Sequence, residues 1–247
     1  VTDDVDFFIG WDDHPPRRLA RFLLGVALFA ACVMLLLGLA LGRAVDAGAG
    51  EIVGETTVAG ILEMTPYPHL RSPPDAAHPD GHAVLLAGDG KYGIASAAVK
   101  FAGHAVEARG ALVKRGDLDM LIVSPDDGVR PTVILVSNMP AIASLGRWRI
   151  SGEICDGKCN AGIMRPGAGI AHKACATLCV SGGVPPVFVT TSPVEGAGFM
   201  LLADGEGAAA PARMLDFMAI PVTLEGVVER RGDLAVFRVD WSSARVR

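Results

Sequence analysis

The chain has 247 residues, half of them apolar and few aromatic, with a formal net charge of −5. That length suits one large domain or two small ones. An acidic balance with no long basic run argues against a nucleic-acid partner on bulk electrostatics.

From Phe22 to Leu41, twenty residues run without a charge. About 20 apolar residues cross a bilayer core of about 30 Å as a helix. The stretch lacks the polar stripe that a buried soluble helix would carry. Residues 1–21 are therefore expected as a cytoplasmic segment and 22–42 as a transmembrane helix. Arg17, Arg18 and Arg21 precede the span and only Arg43 soon follows it. The positive side stays inside, so the bulk of the chain is expected in the periplasm of a bacterial cell. An apolar core of this length exceeds the usual signal peptide. It reads as a retained anchor rather than a leader cleaved at Ala47-Gly48-Ala49. Phe7, Phe8 and Trp11 are expected at the membrane interface or against a partner subunit. Cys32, in mid-span, reads as a small packing residue.

Past the span the chain repeats itself. VEARGALVKRGDLDMLIV (106–123) aligns with VTLEGVVERRGDLAVFRV (222–239) at an offset of 116 residues, and the same offset aligns AVLLA (83–87) with FMLLA (199–203). Upstream, VAGILE (58–63) resembles ISGEIC (150–155) at an offset of 92, so the second copy carries an insertion. The repeated runs are rich in Val, Ile and Leu and read as strands. Each Arg-Gly-Asp-Leu reads as a hairpin turn. Short helices are expected before each hairpin, at Ile94–Phe101 and Pro211–Met218. Strands, a short helix and a closing hairpin follow the order of an OB-type barrel. The expected fold is mainly β: the transmembrane helix, then two tandem OB-like barrels at 51–145 and 146–247. Immunoglobulin-like sandwiches leave the helix unexplained. The aromatic and basic faces with which such barrels bind oligonucleotides or sugars are absent.

The stretch TPYPHLRSPPDAAHPDGH (65–82) is rich in proline and holds His69, His78 and His82. The histidines lack a tight ligand spacing. The stretch is expected to be an extended loop that docks a partner.

The insertion, 152–186, holds four of the five cysteines. Its pattern is Cys155-x3-Cys159, twelve residues, then His172-x2-Cys175-x3-Cys179. Ile170–Val180, bounded by glycines, reads as a helix on which His172, Cys175 and Cys179 share a face. Two readings stand. Outside the cytoplasm thiols oxidise, and disulfides among Cys155, Cys159, Cys175 and Cys179 would staple the insertion to its barrel. Alternatively Cys159, His172, Cys175 and Cys179, with Cys155 as the alternate, form a metal site for zinc, copper or an iron–sulfur cluster. Lys158 and Lys173 would offset thiolate charge. No Ser-His-Asp or paired-carboxylate constellation is visible, so catalysis is not the expected role.

The run KC-x12-HKAC-x3-C followed by GG-x-PPVF resembles a motif of uncharacterised bacterial envelope proteins. In those a short K-C…H-x-x-C-x-x-x-C…G-x-P segment opens an OB-like domain. The resemblance covers about Gly152–Val189. It centres on Cys159, His172, Cys175 and Cys179 and implies a role for the histidine. Anchored members look like accessory proteins of membrane redox systems. Two functions are therefore expected. One is an accessory subunit of an electron-transfer complex, docked through its N-terminal segment, its transmembrane helix and 65–82. The other is a free-standing periplasmic metal or redox carrier.

Overall fold

The computed structural model describes residues 16–45, 48–94, 96–124, 128–133 and 139–247. The N-terminal aromatics Phe7, Phe8 and Trp11 lie outside them. The protein is mainly β, with one N-terminal apolar helix and two sheets that each close into a barrel-like ring. Helix α1 runs Arg17–Val45, and within it Arg17–Leu41 is long and apolar enough to cross a membrane. Its apolar residues, Phe22, Phe29 and Leu36 among them, are exposed. The residues from Ala47 onward form a separate compact unit.

The first ring contains β1 (Glu51–Glu63), β2 (His69–Ser72), β3 (His82–Ala87), β4 (Ala105–Arg115) and β5 (Leu118–Val123). They pair in the order β1-β2-β3-β5-β4, and β4 returns to β1. A short β6 (Val129–Pro131) adds to β4. The second ring contains β7 (Ala143–Asp156), β8 (Pro186–Val194), β9 (Ala197–Asp204), β10 (Pro221–Arg231) and β11 (Leu234–Val246), in the equivalent order. Strands β3 and β5 are parallel, as are β9 and β11; the other pairs are antiparallel. Register supports the shorter offset found upstream. Gly60 faces Val106 as Gly152 faces Val222. The inserted residues therefore fall between β7 and β8.

Several local expectations change. The stretch 65–82 is not one loop, because it contains β2. Leu70 is buried there, and its neighbour Arg71 is held by Glu63 at 2.8 Å. The two short helices are six-residue 3-10 helices, Ser96–Phe101 and Ala212–Phe217. The join expected near 146 lies inside β7. The insertion's helix begins as a 3-10 turn at Ile170–His172 and becomes α2 only over Lys173–Ser181.

Strand alternation builds three cores. Val84, Leu86, Leu121 and Val123 point into the first ring, and Met200, Leu202, Phe237 and Val239 point into the second. The alternate residues, Leu85, Leu118 and Met120 with Leu201, Leu234 and Val236, form a third cluster between the rings. Strands buried on both faces read as near-continuous apolar runs. This explains AVLLA and its partner.

The two Arg-Gly-Asp turns have glycine at positive φ, +57° at Gly116 and +69° at Gly232. Their aspartates do more than turn the chain. Asp233 accepts from Ala83 N at 2.7 Å, and Asp117 accepts from Phe199 N at 3.5 Å and Gly198 N at 3.1 Å. Ala83 and Phe199 are equivalent positions of the repeat, so each ring caps the third strand of the other. The preceding arginines also cross over. Arg231 donates to Thr65 O at 2.9 Å and Arg115 to Asn160 Oδ1 at 2.8 Å.

His82 joins the Asp233 end of this lock. Its Nδ1 lies 2.5 Å from Asp233 and its Nε2 lies 3.3 Å from Asp119. His78 stacks on it at 3.9 Å. Burial opposes a charge on His82, but the hydrogen bonds to Asp119 and Asp233 outweigh it and push the pKa to about 9.

Two outcomes are expected. Asp233→Ala and Asp117→Ala each destabilise the full chain, Asp233→Ala by more because it also releases His82. Leaving the buried Ala83 donor unmade costs ~1–3 kcal/mol, read as a shift in melting in detergent. His82 has a folded pKa raised above its unfolded value of 6.5. Its stabilisation is therefore full below pH 6.5 and lost as pH rises toward about 9. Melting of the wild type should fall across that window. Asp233→Asn should flatten the fall.

Candidate metal centre

The site starts where β7 ends. Asp156 is fully buried. Its Oδ1 accepts from Cys159 N at 2.8 Å and its Oδ2 lies 3.0 Å from His172 Nε2. The first bond has the spacing by which an acidic side chain ties down the start of a helical turn. That turn, Cys159–Ile163, is π-helical and buries Cys159. The second bond spans sixteen residues of sequence and fixes one ring nitrogen of His172. A carboxylate that holds a histidine by one nitrogen orients the other toward a ligand and raises its basicity.

α2 supplies the other thiols. Its sequence KACATLCVS places Cys175 and Cys179 one turn apart. The helix ends at Gly182, where an added Cβ would lie 1.9 Å from Lys91 O. Only glycine lets the loop after β3 come this close. The loop is fastened further by Gly93 N donating to Gly182 O at 2.9 Å. Lys158 Nζ also donates to it, to Gly88 O at 3.0 Å and to Gly90 O.

The ligating atoms of Cys159, His172 and Cys175 lie within 4.8 Å of one another, and so do those of Asp156, Cys159 and Cys179. The four residues expected from the sequence thus come together, with Cys159 common to both groupings. Cys155, the alternate, joins neither grouping; its Sγ is directed to Glu153 Oε1 at 3.3 Å. None of the disulfides considered is formed, and all five cysteines are free thiols.

Burial raises the thiol pKa of Cys155, Cys159 and Cys179, and nearby carboxylates push the same way: Glu153 first at Cys155, and Asp156 at Cys159 and Cys179. These are protonated thiols until a cation replaces the protons. The cation that reaches them comes from the first ring. Lys91 Nζ lies 2.8 Å from Cys175 Sγ and 3.8 Å from Cys179 Sγ. The hydrogen bond to Cys175 is the leading cause of a raised Lys91 pKa. Lys158, expected near the thiols, is instead spent on the loop.

Asp156, His172 and a thiol also have the composition of a nucleophilic triad. The geometry does not favour that use. Cys159 is buried and its thiol is raised, whereas a nucleophile needs access and a lowered pKa.

Sequence reasoning missed Asp156 and Lys91. An acid three residues before Cys159 was a signal available for the first. Lys91 carries no local signal, since it arrives from the other copy of the repeat.

A second grouping, His78, His82 and Asp233, also lies within 4.8 Å. Both ring nitrogens of His82 are already engaged by carboxylates, so it serves the lock rather than a metal. Comparisons with family models, with curated proteins and with solved structures return no match to the chain.

Proposed function

We propose that the chain is a membrane-anchored metal-binding protein whose centre is mononuclear, with Cys159, Cys175, Cys179 and His172 as ligands. The observation that carries this is a pair of overlapping groupings, Cys159–His172–Cys175 and Asp156–Cys159–Cys179, each with its ligand atoms within 4.8 Å and its sulfurs free. Donors around an ion with metal–sulfur bonds of about 2.3 Å stand about 3.8 Å apart, which fits within the 4.8 Å span of each grouping. A polynuclear iron–sulfur cluster sets its ligands wider. Soft thiolates with one imidazole select zinc or copper(I). The fold reading that goes with this is a pair of tandem OB-like barrels. It is supported by the ring order, the parallel third and fifth strands and the crossover turn between the third and fourth. Arg17, Arg18 and Arg21 before the span support an N-terminus inside and a metal domain outside the cytoplasmic membrane.

Service as an accessory subunit of an electron-transfer assembly is compatible with the same centre. Co-purification of a redox partner in mild detergent would decide for that role. Its absence would leave a free-standing carrier.

The decisive experiment takes the full chain, purified without chelator from an export-competent bacterium. Free thiols are counted under denaturation and metals are measured on the same sample. One equivalent of zinc or copper with the thiols retained is expected, and His172→Ala should lower metal content at least tenfold. Disulfides in place of thiols, with no metal, would sink the proposal. In the metal-stripped, reduced chain a water-soluble maleimide should label Cys175 first among the four cysteines beyond the apolar helix, because Cys155, Cys159 and Cys179 are nearly inaccessible. Adding metal should suppress that labelling.

A further inference from the structure

The offset of 116 residues between the copies runs without a gap through the crossover, since Ser96–Phe101 and Ala212–Phe217 are both 3-10 turns. The side chains that plug each barrel end can therefore be compared one by one. In the second ring Met214, Met218, Trp241 and Ala244 are all buried in the interior core. Their counterparts in the first copy are Ala98, Ala102, Pro125 and, by strand register, Val129. Pro125 lies outside the described residues. The first three of these positions carry smaller side chains in the first copy.

The first ring has a cavity of about 820 Å³ at this end. Ala98, Phe101, Val123 and Val129 give it an apolar lining. Its size falls in the range of small-molecule sites, about 300–1,000 Å³. The charged lining has changed as well. Lys100 stands where the second copy has Asp216, whereas Arg130, which pairs with Glu107 as Arg245 pairs with Thr223, is matched by an arginine in the second copy. Arg130 is already engaged within the protein, and Asp89 also borders the cavity. Lys100 therefore adds a cation to a rim that also carries Arg130 and Asp89.

We propose that the end of the first barrel binds a small amphiphilic acid. An apolar chain or ring takes the space that Met214, Met218 and Trp241 fill in the second barrel. A carboxylate or phosphate sits on Lys100, with Arg130 beside it. The site is separate from the thiol centre and does not depend on it. One loop serves both, however: Asp89, Tyr92 and Gly93 border the cavity while Lys91 reaches Cys175.

The test uses the full chain in nanodiscs of phosphatidylcholine, probed with octanoate, octyl phosphate and uncharged octanol. Binding is read by equilibrium dialysis against empty nanodiscs. Saturable binding of one octanoate or octyl phosphate per chain is expected, with octanol at least tenfold weaker. Ala98→Met should weaken octanoate at least tenfold. Lys100→Asp, at an exposed position that leaves the core intact, should weaken octanoate at least fivefold without changing octanol. Absence of saturable binding, equal binding of octanol, or indifference to Lys100→Asp would overturn the proposal. An acyl acid extracted in stoichiometric amount from freshly purified wild type, and absent from Ala98→Met, identifies the membrane as the source. Octanoate binding with no such extract identifies a soluble acid.

Discussion

Leu85, Leu118 and Met120 of the first barrel meet Leu201, Leu234 and Val236 of the second, closing a core that belongs to neither barrel alone. Fully burying a side chain of this size contributes about 1.5–3 kcal/mol, so the layer outweighs any single polar contact across it. The polar contacts decide alignment instead. Asp117 and Asp233 each cap the other ring's third strand, and at that register the apolar faces coincide. Cys155, Cys159 and Cys179 are members of this shared core. The candidate metal centre therefore lies at the interface between the barrels.

Having duplicated a barrel, the chain uses its two copies differently. The second keeps a filled interior, with Phe188 and Phe237 in tilted contact and Trp241 and the two methionines closing the end. It can therefore carry an insertion between β7 and β8 without losing its core. The first copy has given up bulk at its end and contributes Lys91, at a position where the second copy has Gly207. The loop that bears Lys91 is locked by Lys158 from the insertion, so each copy completes a structure begun by the other.

The electrostatics of the centre follow from the same burial. A carboxylate and three thiols lie at the edge of an apolar layer, where charge is poorly solvated. Asp156 offsets its own burial by accepting from Cys159 N and holding His172. The thiols have no equivalent compensation. Burial keeps Cys155, Cys159 and Cys179 protonated, against the opposing pull of Arg115 at Cys155 and of Lys91 at Cys179. Such a site is suited to exchanging its protons for a cation. That exchange is the chemistry expected of a metal ligand set rather than of an activated nucleophile.

The sequence by itself determined the apolar span, the internal repeat, the hairpins at Gly116 and Gly232, and the cysteine–histidine set. Each is written in local order: an uncharged run, a fixed offset, a turn dipeptide, a spacing on one short helix. Strand β2 was hidden because its flanking prolines mask a four-residue strand whose partners lie on both sides of it in space. The barrel-end turns were legible as helical but not as 3-10, since their length is set by the ring they must cross. Only the tertiary structure decided that Asp156 orients His172, that Cys155 stands aside and that Lys91 reaches Cys175. Those relations join residues far apart in the chain. They exist because two apolar strand faces must be buried against each other, and that burial brings one barrel's loop onto the other's insertion.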